Sequence, residues 1–317
     1  MRSPADYPMP AYVDSRDRRL ISTIERASNA KAGAVNIMGI PYDGAVLGRK
    51  GAAEGPGAIR RAMRLFSSYN PELRQDLLRT RIVDIGDVVV RSPDVERVHS
   101  EVKAEVGDAI SNSSLLVVLG GDNSISLPSI AACAEMFRRV GLVVFDSHFD
   151  FREPMNGKPT SGSAYGTAVR IKSVDGSRLV EVGIHGFLNS LSYAEEVKKQ
   201  GVTVITAEDV RRLGPEAVVR RAYGIASRGA DAVYVSIDLD CVDLSQVSGV
   251  SAPSAGGMSS TDLFKMLYFL GGKRKVVCSD LVELAPPLDP TGRSEMVAAT
   301  ALVYLIAGFG NRGRPVS

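Results

Sequence analysis

Short apolar runs rich in valine and isoleucine recur along the chain, at Ala34–Ile40, Arg81–Ile85, Leu115–Leu119, Leu142–Phe145, Leu179–Val182, Val202–Thr206, Ala232–Ile237 and Lys275–Cys278. They are continuous rather than alternating, as strands covered on both faces are. Segments at helical spacing separate them: Ala58–Ser67, Asp94–Ile110, Leu127–Val140, Tyr193–Gln200, Pro215–Ser227, Thr261–Leu270 and Ser294–Ala307. Ser259 or Ser260, with Asp262 behind it, supplies a start signal for the sixth of these. The alternation predicts an α/β fold, three layers with helices on both sides of a mostly parallel sheet of roughly eight strands. Nothing resembles a linker, repeat or low-complexity tract. Residues 1–317 are therefore read as one domain with an irregular N-terminal extension over about residues 1–30.

Two of the apolar runs end in carboxylates. Asp146-x-His148-x-Asp150 closes one and Asp238-x-Asp240 another. Residues two apart on a strand point the same way, so each set can converge on one point. In open parallel sheets ligands bind at the carboxyl ends of the strands, where both sets fall. Like charges brought together there repel, by roughly 4 kcal/mol per pair at 4 Å in an effective dielectric near 20. Divalent cations are the simplest remedy. Oxygen donors mixed with one imidazole suit manganese, with zinc, nickel or iron as other candidates. Two such ions sharing carboxylates can activate a water.

Two further pieces follow strands. Gly120-Gly121-Asp122-Asn123-Ser124 comes after Leu115–Leu119, its glycines permitting a tight turn. Glu283 comes after the last strand and suits a cationic substrate group.

Composition narrows the function classes. Hydrophobic residues make up 44% and charged residues 23%, as in a soluble globular protein. A formal charge of +2 does not point to nucleic acid or to an anionic membrane as partner. Lys273-Arg274-Lys275 has no interleaved aromatic residues and reads as a solvated loop. Cys133, Cys241 and Cys278 give neither a disulfide framework nor a zinc ribbon, and Cys241, beside the Asp238/Asp240 pair, reads as packing. Met1 to Arg19 has no apolar segment of a signal peptide, and Val297–Phe309 is too short to cross a bilayer. A cytoplasmic location is expected.

Taken together these motifs resemble the arginase/agmatinase/formimidoylglutamase superfamily of binuclear-manganese ureohydrolases, over about Asn36 to Gly308. The family's Gly-Gly-Asp-His-Ser turn, Asp-Ala-His-x-Asp and Ser-x-Asp-x-Asp-x-x-Asp strand ends and late Glu stand here as Gly120–Ser124, Asp146–Asp150, Ser236–Asp243 and Glu283. Gly39–Gly44 and Gly55–Arg60 are also similar. The resemblance implies two Mn²⁺ per chain. Asp146, Asp150, Asp238 and position 123 would hold one, and Asp146, His148, Asp238 and Asp240 the other. It implies that Asp150 relays a proton and Glu283 orients the substrate's amidinium. It also implies a homo-oligomer, trimeric or hexameric.

Two positions depart from the family pattern. Asn123 replaces the histidine of the glycine turn, and an amide oxygen is a weaker ligand, so that metal site is expected to be weak. Tyr165 replaces the proton-shuttling histidine of the loop Ser161–Thr167, and with a reference pKa near 10 it is a poorer shuttle. These changes, with Ile125–Ile130, His148–Arg152 and Gly249–Pro253, are similar to the formimidoylglutamase branch. Its substrate is acidic, which makes Arg152 and Arg170 the candidate cations and Tyr165 a further substrate contact. The implied activity is hydrolysis of a linear amidine, N-formimidoyl-L-glutamate to glutamate and formamide. Alternatives are a ureohydrolase of agmatine or another guanidino compound, and a non-catalytic relative with a weakened metal site.

Overall fold

A computed structural model describes residue 14 and residues 16–312. Its main sheet holds nine strands: β1 (Ile24–Arg26), β2 (Val35–Gly39), β5 (Ile82–Asp87), β6 (Leu115–Leu119), β7 (Val140–Phe145), β8 (Val174–Ile184), β9 (Thr203–Thr206), β10 (Ala232–Asp238) and β11 (Val276–Val282). A two-residue pair, β3 (Tyr69–Asn70) with β4 (Gln75–Asp76), forms a separate hairpin. The sheet order is β1-β5-β2-β6-β11-β10-β7-β8-β9, and every pairing in it is parallel.

Helices α1 (Gly55–Met63), α6 (Ala207–Leu213), α7 (Pro215–Ala226), α8 (Ser260–Gly271) and α9 (Arg293–Gly310) cover one face. Helices α2 (Val95–Ser111), α3 (Ser126–Met136), α4 (Ala164–Ala168) and α5 (Leu191–Lys199) cover the other. Alternate residues of each strand feed the two cores: Leu115, Val117 and Leu119 face α1 and α9, while Leu116 and Val118 face α2 and α3. This is the expected three-layer sandwich. The Ser259 hydroxyl accepts the Asp262 N–H and starts α8, as the sequence predicts.

The differences have physical causes. The helix expected over Leu127–Val140 stops at Met136, because Val140 and Gly141 already belong to β7. There a Cβ on Gly141 would lie 1.9 Å from the Ala226 carbonyl at the end of α7. The strand expected to stop at Cys278 continues to Val282, its buried Asp280 satisfied by neighbouring donors. The N-terminal segment is not irregular throughout: Leu20–Thr23 makes a 3₁₀ turn and Ile24–Arg26 an edge strand, while residues 1–13 and 15 lie outside the described residues. Among the described residues no helix is long and apolar enough to cross a membrane.

Candidate metal centre

Four adjacent strands, β6, β11, β10 and β7, deliver the acidic residues. The turn after β6 is forced by its glycines: a Cβ on Gly121 would sit 1.6 Å from the Tyr42 carbonyl oxygen, and one on Gly120 2.6 Å from Val282. This close approach places Asn123 beside Glu283, whose carboxylate accepts the Asn123 backbone N–H at 2.7 Å. Glu283 and Asp150 both adopt left-handed backbone, φ 66° and 51°, unusual for residues with side chains and typical of functional sites.

One ligand atom each from Asp146, His148 and Asp240 lies within 4.8 Å of the others, and the same is true of Asp146, Asp150 and Asp238. Asp146 belongs to both groups. Its Oδ1 accepts the His148 N–H at 2.6 Å, while Oδ2 is buried with no partner. The Asp238 carboxylate accepts the Asp240 N–H at 2.9 Å. Ser147 donates to Asp240 Oδ1 through both its backbone N–H, at 3.1 Å, and its hydroxyl, at 2.8 Å. His148 Nδ1 lies 2.9 Å from Asp240 Oδ2.

Crowding of carboxylates in a dry site shows in their proton affinities. Burial, then the charges of Asp150 and Asp240, hold the Asp146 carboxyl well above the usual range. Burial, then Asp240 and Asp146, do the same to Asp238. Asp150 is raised by burial to about 6 against the pull of His148, and Glu283 is raised by burial and Asp122 to about 8. Burial opposes charge on His148, but Asp240 and Asp146 lift it to about 12. Burial also opposes charge on Asp240, yet His148 and the Ser147 donors bring it below the usual carboxylate value. An unpartnered buried carboxylate oxygen shared by two clusters of hard donors fits a pair of divalent cations.

The cluster floors a cleft of about 350 Å³ whose wall includes Leu47, Leu188, Arg152, Ser251 and Glu283. Another hollow, of about 240 Å³ between the β3–β4 hairpin and α9, is lined by apolar, hydroxyl and amide side chains without carboxylate or histidine.

Of the residues predicted from sequence, Asp146, His148, Asp150, Asp238, Asp240 and Glu283 meet, and Arg152 reaches the cleft. Asn123 stands beside Asp150, its Nδ2 donating to that carboxylate at 2.5 Å and the Ser126 and Tyr165 hydroxyls lying at its Oδ1. Two expectations need correction. Tyr165 is fully buried behind Asn123 and does not line the cleft, because α4 turns it inward. Arg170 lies on the surface paired with Glu153 at 2.9 Å. Cys241 is buried and belongs to neither donor group. Sequence reasoning missed Ser147, although a hydroxyl between Asp146 and His148 is placed to steady a strand-end cluster.

Parallel strands that end in clustered hard donors define an α/β protein with a centre suited to divalent cations. Residues 33–308 match the sequence model of the arginase family, and the chain belongs to that family. It is 32% identical over 274 residues to formimidoylglutamase of Halalkalibacterium halodurans, covering 86% of each chain. It is 34% identical over 278 residues to agmatinase of Neisseria meningitidis serogroup C, covering 85% of each. Among solved structures it is similar to formimidoylglutamase of Bacillus subtilis, with TM-score 0.90, 25% identity and coverage of 96% of this chain and 95% of that one. It is also similar to Trypanosoma cruzi formiminoglutamase with two Mn²⁺, with TM-score 0.85, 30% identity and coverage of 93% and 99%.

Proposed function

We propose that this chain is a manganese-dependent hydrolase of linear amidines whose substrate is N-formimidoyl-L-glutamate. The observation that carries the reading is Asp146, buried with an unpartnered oxygen and common to two donor groups whose His148, Asp150, Asp238 and Asp240 line an open cleft. His148 and Asp240 would hold one Mn²⁺ and Asp150 and Asp238 the other, with Asp146 common to both. When bound, the ions supply positive charge that acidifies water and polarises the amidine.

The chain's own groups do the rest. Asp150, which lines the cleft beside the second donor group, would take the proton from water and pass it to the leaving nitrogen. The unpartnered Oε2 of Glu283 accepts an amidinium N–H and orients the carbon toward the floor. Arg152, near the Tyr193 ring on α5, pairs with a substrate carboxylate at the wall. Water adds to the amidine carbon, its bond to the substituted nitrogen breaks, and formamide and glutamate leave.

Release of urea from agmatine is the second reading, favoured by the likeness to agmatinase. Arg152 argues against it, since a guanidinium on the wall repels the amine of agmatine. A parallel assay of formamide and urea on both substrates decides: urea from agmatine with no formamide from formimidoylglutamate overturns the proposal. The same reading includes a single catalytic domain, a cytoplasmic location and a trimeric or hexameric assembly, which light scattering on the purified protein checks.

A further inference from the structure

Beyond the ends of β7 and β8, the ladder between them is completed by a side chain that the hydrolytic reading does not use. β7 stops at Phe145 and β8 at Ile184. The Asp146 N–H still donates to the Val182 carbonyl at 3.1 Å, but the main chains then part, and the His185 N–H reaches the Ser147 carbonyl only at 3.4 Å. From the loop that follows, Asn189 reaches back. Its Nδ2 donates to the Ser147 carbonyl at 2.8 Å, and its Oδ1 accepts the Phe149 N–H at 3.1 Å. A residue in a parallel strand pairs in the same way, donating to the carbonyl before a facing residue and accepting the N–H after it. The facing residue here is His148. Nδ2 also lies 3.4 Å from the His185 carbonyl, so carbonyls surround the nitrogen and an N–H meets the oxygen, which fixes the sense of the amide.

Capping α5 falls to the next residue, the Ser190 hydroxyl accepting the Tyr193 N–H at 3.3 Å. Asn189 is therefore not needed as a helix cap. The His148 N–H donates to Asp146 Oδ1 and the Ser147 N–H to Asp240 Oδ1. Asn189 adds a hold on the peptides either side of the ring. We propose that Asn189 is a positioning residue whose side-chain amide takes the place of a strand residue and aims the His148 imidazole at a cation in the Asp146–His148–Asp240 group. The inference rests on the metal-dependent reading above.

Manganese titration of metal-free protein tests this, with electron spin-echo envelope modulation reading the imidazole nitrogen on the bound ion. Wild type binds two ions and shows that nitrogen. Asn189→Leu keeps the shape of the side chain but neither donates nor accepts. Affinity at the imidazole-bearing site falls in it by about tenfold to a hundredfold, the size of effect that residues behind metal ligands exert. The nitrogen signal per bound ion shrinks with it. The carboxylate site, none of whose ligands bonds to Asn189, loses less. Both sites weakened alike, with the nitrogen signal per ion unchanged, marks a merely structural role and overturns the proposal. Native circular dichroism with unchanged affinity at the imidazole-bearing site overturns it too. If Asn189→Leu does not fold, Asn189→Ser decides: a smaller loss of the same kind is expected, and no loss overturns the proposal. Wild type that binds no manganese overturns the metal reading and this inference together, so the two failures are distinguishable.

Discussion

His148 Nδ1 lies 2.9 Å from Asp240 Oδ2, at the distance of a charge-assisted hydrogen bond. In the metal-free protein the ring therefore holds its proton, with an affinity raised to about 12 by Asp240 and Asp146 against the opposing effect of burial. A metal ion has to displace that proton. Manganese binding is expected to release at least about one proton per chain near neutral pH, with affinity rising as pH rises. Calorimetry in buffers of different ionisation enthalpy measures this, and binding heats independent of buffer would contradict it.

Stability of the metal-free protein is expected to fall as pH rises. Glu283 titrates at about 8 folded and Asp150 at about 6, both above ordinary carboxylates. Their contribution is complete below about pH 4 and is lost as pH climbs through those folded values, because the unfolded chain gives up its protons first. His148, raised from 6.5, adds to the same slope above pH 6.5. The melting midpoint is expected to drop by about 5 °C between pH 5.5 and 8, and saturating Mn²⁺ to flatten the profile. A metal-free midpoint that rises over this range would count against the arrangement.

Asp146→Ala removes the residue common to both donor groups. Turnover is expected to fall by about 10³-fold or more, and bound manganese to drop below about one ion per chain. The metal-free variant is expected to melt above metal-free wild type, since a buried, repelled carboxylate has gone. Near-normal turnover in this variant would refute the centre.

Arg152→Gln separates substrate anchoring from chemistry. Arg152 lines the cleft and supplies no ligand to either donor group, although its charge reaches Asp150. KM for formimidoylglutamate is expected to rise about tenfold with kcat little changed, the pattern of lost uniform binding. A fall in kcat at constant KM would move Arg152 into the chemical step.

Gly121→Ala tests the turn that brings β6 and β11 together. Its Cβ would fall 1.6 Å from the Tyr42 carbonyl, and rigid backbone cannot yield that far. A loss of about 3 kcal/mol or more in unfolding free energy is expected, with weakened manganese binding because Asn123, hydrogen-bonded to Asp150, moves with the turn. Chemical denaturation measures the first effect and metal titration the second.

Much of this arrangement is legible in the amino-acid order. Strands covered on both faces, such as Leu115–Leu119, announce themselves by unbroken apolar runs, and spacing by two predicts that Asp146, His148 and Asp150 point together. What escapes is set by long-range contact. Ile24–Arg26 is too short and too polar to read as a strand, and it becomes one by pairing with β5. Ser279 and Asp280 look like a strand's end until Tyr234 and Ser236 supply buried donors to the Asp280 carboxylate. The short α4 decides that Tyr165 points inward while Arg170 meets Glu153 at the surface, and no local pattern in Ser161–Thr167 reveals it. The Asn123 amide meets the Tyr165 hydroxyl of α4 and the Asp150 carboxylate, both far from it along the chain.

The order of strands in the sheet also bears on when the ions can be captured. At the centre, β11, the last strand along the polypeptide, lies between β10 and the much earlier β6, and β10 lies between β11 and the earlier β7. A ribosome releases Asp146 long before Asp240 and Glu283, so a nascent chain carries half a cage. Metal loading must wait until synthesis is nearly finished, and retained manganese would certify that the last strand has slotted between two older ones.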